Sequence, residues 1–133
     1  MPHMRISEAA HLLGVSDDTL RRWVSAGELV ASTDDSGRKV IQGDDLARFA
    51  RERSTSLPAP PGNSSARNRF TGLVTQVTSD TVMSQVELQC GPYRVVSLMS
   101  TEAVRELGLE PGMLAAASIK ATHVVVDRPD GER

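Results

Sequence analysis

Residues 54–64 read Ser-Thr-Ser-Leu-Pro-Ala-Pro-Pro-Gly-Asn-Ser. This stretch constrains the fold more than any other, because it holds three of the chain's seven prolines. Proline removes backbone donors, and Ser and Gly add little to a core, so a semi-extended linker is expected. Length alone would suggest one domain for 133 residues. Divided at the linker, the chain becomes two minimal modules, 1–53 and 65–129, with 130–133 as a tail. Residues 1–53 are rich in Ala, Leu, Arg and Asp at helical spacing, whereas the second part is rich in Val, Thr and Ser with alternating stretches. The expected class is therefore α+β: a helical module followed by a β-rich one.

Several function classes are excluded early. Aromatic residues make up 3% of the chain, so its cores must come from Val, Leu, Ile, Met and Ala. Small cores of that kind often rely on oligomerisation. No apolar run approaches the roughly 18–20 residues of a membrane span. No charged-then-apolar opening with a cleavage site is visible, so a cytoplasmic location is expected. Cys90 is the single cysteine, which excludes an internal disulfide and a multi-cysteine zinc site and fits core packing. His3, His11 and His123 show no metal-ligand spacing, and no metal cation is expected. No nucleophile–base constellation and no phosphate-binding glycine loop is present, so an enzyme is not expected. The formal net charge is −2, and residues 1–53 and 54–133 each contribute −1. Bulk charge therefore gives no support to nucleic-acid binding; the placement of the cations has to.

In the first module, Ser7 precedes an apolar-periodic run that Gly14 ends, which predicts a helix over 8–13. Ser16 caps a second helix, Asp17 to Ala26, whose acidic start suits the helix dipole, and Gly27 closes it. Ile6, Ala9, Ala10, Leu13, Val15, Leu20, Trp23 and Val24 form one apolar seam. Two short helices joined by a tight turn make a helix-turn-helix pattern, and Thr19, Arg21 and Arg22 lie opposite Leu20 and Trp23, where a major groove could receive them. Leu29–Ser32 and Arg38–Ile41 flank Asp34-Asp35-Ser36-Gly37, a hairpin signal. A third helix is expected from Gly43-Asp44 to about Arg53, with Leu46, Ala47, Phe49 and Ala50 inward. Ile6-Ser7-Glu8-Ala9-Ala10, Leu13-Gly14-Val15-Ser16, Thr19-Leu20-Arg21-Arg22-Trp23 and Gly27-Glu28-Leu29 together resemble the excisionase-like branch of the MerR superfamily of winged helix-turn-helix domains. That resemblance implies binding to double-stranded DNA, with contacts from Ser16, Thr19, Arg21, Arg22, Arg38 and Lys39. The two carboxylates at the hairpin tip oppose phosphate, so wing contact rests on Arg38 and Lys39.

The second module reads as strands at Phe70–Ser79, Val82–Cys90, Tyr93–Met99, Leu114–Ile119 and His123–Val126, with a helix Thr101–Leu107 capped by Ser100 and ended by Gly108. Val82, Val86, Leu88 and Cys90 share one phase. Five short strands and one helix suggest a small OB-like barrel. Hydroxyls, donors and a cation cluster in three segments at strand ends: Ser65-Ala66-Arg67-Asn68, the run from Ser97 to Ser100, and Lys120-Ala121-Thr122. Oriented N–H and O–H groups with modest positive charge suit a tetrahedral oxyanion.

Ser65-Ala66-Arg67-Asn68, Ala103-Val104-Arg105-Glu106-Leu107-Gly108-Leu109 and Ile119-Lys120-Ala121-Thr122 resemble, in order, the Mop domain of molbindins within the wider TOBE group. The resemblance implies a molybdate or tungstate site built across a subunit interface. Its residues would be Ser65, Ala66, Arg67 and Asn68, Ser97 and Ser100, and Lys120, Ala121 and Thr122, with Lys120 the principal balancing charge. His123 borders the site and could tune it. The combined expectation is a homo-oligomeric, molybdate- or tungstate-responsive transcriptional regulator, at least a dimer and up to a hexamer. Two other roles fit the same pieces: an oxyanion buffer whose helix-turn-helix is secondary, and a DNA-binding protein whose Mop domain only dimerises.

Overall fold

The computed structural model describes residues 2–55 and 64–129; the expected linker falls mostly, and the tail entirely, outside them. The chain divides into two compact units, Met1–Ala59 and Pro60–Arg133.

The first unit runs β1 (His3–Arg5), α1 (Ile6–Leu13), α2 (Asp17–Ser25), β2 (Ser32–Thr33), β3 (Lys39–Gln42) and α3 (Gly43–Thr55). Helix α1 begins two residues earlier than expected, with Arg5 rather than Ser7 at the cap. The cause is Glu8, whose Oε1 accepts the Arg5 backbone N–H at 3.0 Å and stabilises an orphan donor one turn upstream. Gly14, at φ 71°, ends the helix in the left-handed conformation that glycine reaches without steric cost. Ser16 caps α2 as expected: its Oγ accepts the Thr19 N–H at 3.1 Å. Strand β1 was not legible in the sequence. It pairs antiparallel with β3, Met4 opposite Ile41, and makes the hairpin a three-stranded sheet of order β1-β3-β2.

Short elements here enclose a small core of Ile6, Ala9, Ala10, Leu20, Leu29, Ile41 and Leu46. Trp23 lies at its edge, half-buried, with its ring centroid 5.0 Å from that of Phe49 and the Arg53 guanidinium 4.4 Å above it. Of the four residues expected inward on α3, Ala47 is exposed. Leu46, Phe49 and Ala50 follow the i, i+3, i+4 stripe, and Ala47 sits about 100° off its first member.

The second unit runs β4 (Asn68–Ser79), β5 (Met83–Cys90), β6 (Tyr93–Ser100), α4 (Thr101–Leu107), β7 (Leu114–Ile119) and a single 3-10 turn, Ala121–His123. The sheet order is β6-β5-β4-β7, antiparallel throughout, in a curled OB-like arrangement. Strand β4 produces the curl. Its first half, Asn68–Leu73, pairs with β7 and its second half, Leu73–Ser79, pairs with β5. The change of partner coincides with a register shift between Val74 and Gln76 and with Gly72. A Cβ on Gly72 would lie 2.4 Å from the Gln89 carbonyl oxygen and 2.6 Å from Cys90 Sγ, so only glycine allows the neighbouring strand this close. Bulge and glycine together bend one strand across two sheet surfaces. The core is Val74, Val86, Leu88, Cys90 and Val104.

Two expectations fail here. Val82 lies outside β5 and is exposed; Ser84 takes the inward position instead. His123–Val126 form no strand, so among the described residues four strands are paired rather than five. Val124 is extended, but Val124, Val125 and Val126 have no ladder partner among the described residues, and Val126 is 86% exposed. β-branched residues favour extended backbone, whereas a strand also needs a free edge within reach.

Candidate functional sites

The DNA-contact candidates of the helix-turn-helix unit fall in two groups. Ser16 Oγ donates to Thr19 Oγ1 at 3.0 Å, and the Arg22 guanidinium donates to the same oxygen at 3.1 Å. Ser16, Thr19 and Arg22 thus form one hydrogen-bonded run along the first turns of α2. Arg21, Arg38 and Lys39 instead line a cleft of about 480 Å³ between α2 and the hairpin. Arg5, Ser7, Asp17 and Ser25 line it too. Arg5 was absent from the sequence expectation. Its membership follows from the β1–β3 pairing, which has no local sequence signal.

The hairpin tip is built on Asp34. Its Oδ1 accepts the backbone N–H groups of Ser36 and Arg38, both at 2.9 Å, and Gly37, at φ 81°, completes the turn. The Arg38 N–H first, and that of Ser36 besides, hold the Asp34 carboxyl below the usual carboxylate range. One of the two tip carboxylates is therefore a turn-forming acceptor; Asp35 is the exposed one.

In the sheet unit, the structure brings two of the three expected segments together. Asn68 pairs with Ile119 in the β4–β7 ladder, and its side-chain Nδ2 donates to the Ile119 carbonyl at 3.1 Å. The Ser65-Ala66-Arg67-Asn68 segment thus ends beside the strand that leads into Lys120-Ala121-Thr122. The Ala66 N–H donates to Ser64 Oγ at 3.1 Å, and the Arg67 guanidinium turns back to the Ser65 carbonyl at 3.2 Å. Lys120 is exposed and makes no ion pair among the described residues. The 3-10 turn after it is closed by the His123 N–H on the Lys120 carbonyl at 2.9 Å.

Ser97 and Ser100 lie on β6, at the opposite edge of the sheet from β7. Ser100 caps α4, its Oγ accepting the Ala103 N–H at 3.1 Å. The start of that helix is anchored by a relay of hydroxyls: Ser79 Oγ to Ser84 Oγ at 2.6 Å, Ser84 to Thr101 Oγ1 at 2.8 Å, and Thr101 to the Asp80 carbonyl at 2.8 Å. Asp80 closes the adjoining turn by accepting from Met83 and Val82, and these N–H groups, Met83's foremost, lower its pKa. Ser97 faces a hollow of about 460 Å³ shared with Ser118 and Ile119, whose remaining walls are mostly Val, Leu, Met and Ala. Those walls offer an oxyanion few donors. In strand order the serines of β6 and the Lys120 segment stand at opposite edges, while the curl of the sheet brings Ser97 and Ile119 onto one hollow within the same chain. Among the described residues no group of three or more His, Cys, Asp or Glu could hold a metal ion, and no helix is long and apolar enough to cross a membrane.

Comparison with known proteins assigns both halves. Residues 4–54 match the helix-turn-helix domain model and residues 64–126 match the TOBE domain model. A probable molybdenum-pterin-binding protein of Haemophilus influenzae is 43% identical over 63 residues, which is 47% of this chain and 91% of that protein. The molybdenum-pterin-binding protein MopA of Rhodobacter capsulatus is 37% identical over 70 residues, 52% of this chain. The match spans only 26% of MopA's own length. Among solved structures, a molybdate binding protein from Sporomusa ovata aligns at 27% identity and a TM-score of 0.49, over 50% of this chain and 100% of that one. Through its TOBE domain, the chain belongs to the family of molybdenum-pterin-binding proteins.

Proposed function

We propose that the chain is a DNA-binding transcriptional regulator that responds to molybdate or tungstate. One observation carries this reading: a helix-turn-helix domain at 4–54 and a TOBE domain at 64–126 share one chain without overlap. One named relative is a molybdenum-pterin-binding protein, and another is a probable one. Here the oxyanion would be held by Ser65, Ala66, Arg67, Asn68, Lys120, Ala121 and Thr122 from one copy and by Ser97 and Ser100 from another. The hollow that Ser97 and Ile119 share within one chain has mostly apolar walls, which supports a site completed by donors from another copy. The assembly would be at least a dimer, with a hexamer also available. Backbone N–H groups and hydroxyls would ligate the oxygens, and Lys120 would balance charge. A site made of donors favours a fully deprotonated dianion over hydrogen phosphate, whose own O–H would meet a donor; sulfate would have to be excluded by size.

The DNA half is read as an excisionase-like winged module. Ser16, Thr19 and Arg22 would face the major groove, and Arg21, Arg38 and Lys39 the backbone. Two such modules in a dimer would read a pseudo-palindromic site. Native mass spectrometry with and without molybdate tests the sensor half. The expected result is an oligomer with anions bound in proportion to its interfaces, and Lys120→Ala lowering occupancy in calorimetry. A monomer that binds no molybdate would refute it.

A further inference from the structure

The basic cleft of the first unit has a member that the helix-turn-helix pattern does not account for. Arg5 comes from β1, Arg21 from α2, and Arg38 and Lys39 from the hairpin, yet all four line one cleft of about 480 Å³. Asp17 is the single carboxylate among its lining residues, and Ser7 and Ser25 add hydroxyls. Among the described residues, neither Arg5 nor Lys39 pairs its side chain with a carboxylate. Arg21 makes only a long, exposed contact, 3.7 Å to Asp18, which a stronger anion displaces at little cost, and Arg38 only a long one, 3.8 Å to the partly buried Asp34. The role of Arg5 in starting α1 uses its backbone N–H alone, leaving the guanidinium uncommitted. A phosphodiester carries one negative charge on two acceptor oxygens, which suits forked donors and hydroxyls converging on one point. The cleft lies between α2 and the hairpin, and a helix in the major groove with a wing at the adjacent minor groove would have one strand of phosphates between them.

We propose that Arg5, Arg21, Arg38 and Lys39 form a single clasp for one stretch of DNA backbone phosphate, with Arg5 a DNA contact delivered by β1. The proposal rests on the DNA-binding reading above.

The test uses the full chain and a fluorescein-labelled duplex of arbitrary sequence two helical turns long, because phosphate contacts carry no base information. Fluorescence anisotropy is measured across a salt series. Arg5→Ala is expected to reduce the salt slope by about 0.9 and to weaken binding roughly fivefold at about 0.15 M salt, while Arg5→Lys restores most of the slope. Arg48→Ala, outside the cleft, should leave both values unchanged. Arg5→Gln keeps the stem packing and gives the same reading if the alanine variant fails to melt cooperatively. A parent that binds duplex with a slope unaltered by Arg5→Ala and Arg5→Gln overturns the clasp alone. A parent that binds no duplex at low salt overturns the DNA reading and the clasp with it. Inorganic phosphate at fixed ionic strength, displacing duplex from the parent far better than from Arg5→Ala, would show a free-anion site instead.

Discussion

The two halves of the chain solve the problem of a small core in opposite ways. Among the described residues, the helix-turn-helix unit leaves two large apolar side chains exposed, Leu12 and Val30, whereas the sheet unit exposes thirteen between Phe70 and Val126. The first encloses its core with three short helices and a three-stranded sheet. The second has five buried core residues, two free sheet edges and an apolar hollow. An aromatic-poor chain can complete a helical core from Leu, Ile and Ala because short helices wrap it on several sides. A curled sheet of the same residue types covers one face and needs another surface for the rest. The difference supports the proposal that the sheet unit is where copies of this chain meet.

Substitutions can break that comparison. The largest effect is expected at Leu20, fully buried in the first unit: Leu20→Ala should cost about 2–5 kcal/mol in a denaturant titration of the full chain. Leu114, 77% exposed in a single chain, makes the sharper contrast. Leu114→Ala should leave a monomer's stability within about 0.5 kcal/mol and should shift sedimentation toward monomer if a second copy covers the face. Unchanged stability and unchanged oligomer size would remove Leu114 from any interface. Next in size is Gly72→Ala, expected to destabilise the sheet unit by about 1–3 kcal/mol, since its methyl meets Gln89 and Cys90. Helix caps come third. Ser16→Ala should cost about 1 kcal/mol in the first unit and Ser100→Ala a similar amount in the second. Only Ser100→Ala should also weaken molybdate binding in calorimetry.

The smallest effect is a pH dependence shared by both units. Asp34 and Asp80 each have a pKa below the ordinary value of 3.8 because backbone N–H groups bond the carboxylate. Their contribution is fully present above the unfolded value and is lost as pH falls through the lower folded value. Amide-exchange protection of Ser36, Arg38, Val82 and Met83 should therefore persist to pH 4 and decline below it. Asp34→Asn and Asp80→Asn should abolish that decline at their own turns. A decline that survives in both variants would place the titrating group elsewhere.

Much of the architecture was legible because its signals are local. Ser16, Ser100, Gly14 and Gly108 mark helix ends through contacts that span a few residues, and α4 and β7 fall at their expected bounds. What could not be read depends on distant partners. Strand β1 exists because β3 offers an edge, and Val124–Val126 pair with no strand among the described residues. The sites divide the same way. Arg21, Arg38 and Lys39 could be named from the helix and hairpin that carry them, whereas Arg5 joins their cleft only through long-range pairing. The adjacency of Asn68 and Ile119 is a register of β4 on β7, which neither segment specifies alone.

Under the proposed function, oxyanion binding in one half changes DNA binding in the other. This coupling is tested most directly by measuring the affinity of the full chain for a duplex obtained by in vitro selection, with and without saturating molybdate at fixed ionic strength. A change of about 5–150-fold is expected, reproduced by tungstate and lost in Lys120→Ala. Equal affinities with and without molybdate, in a protein shown by calorimetry to be saturated, would contradict it.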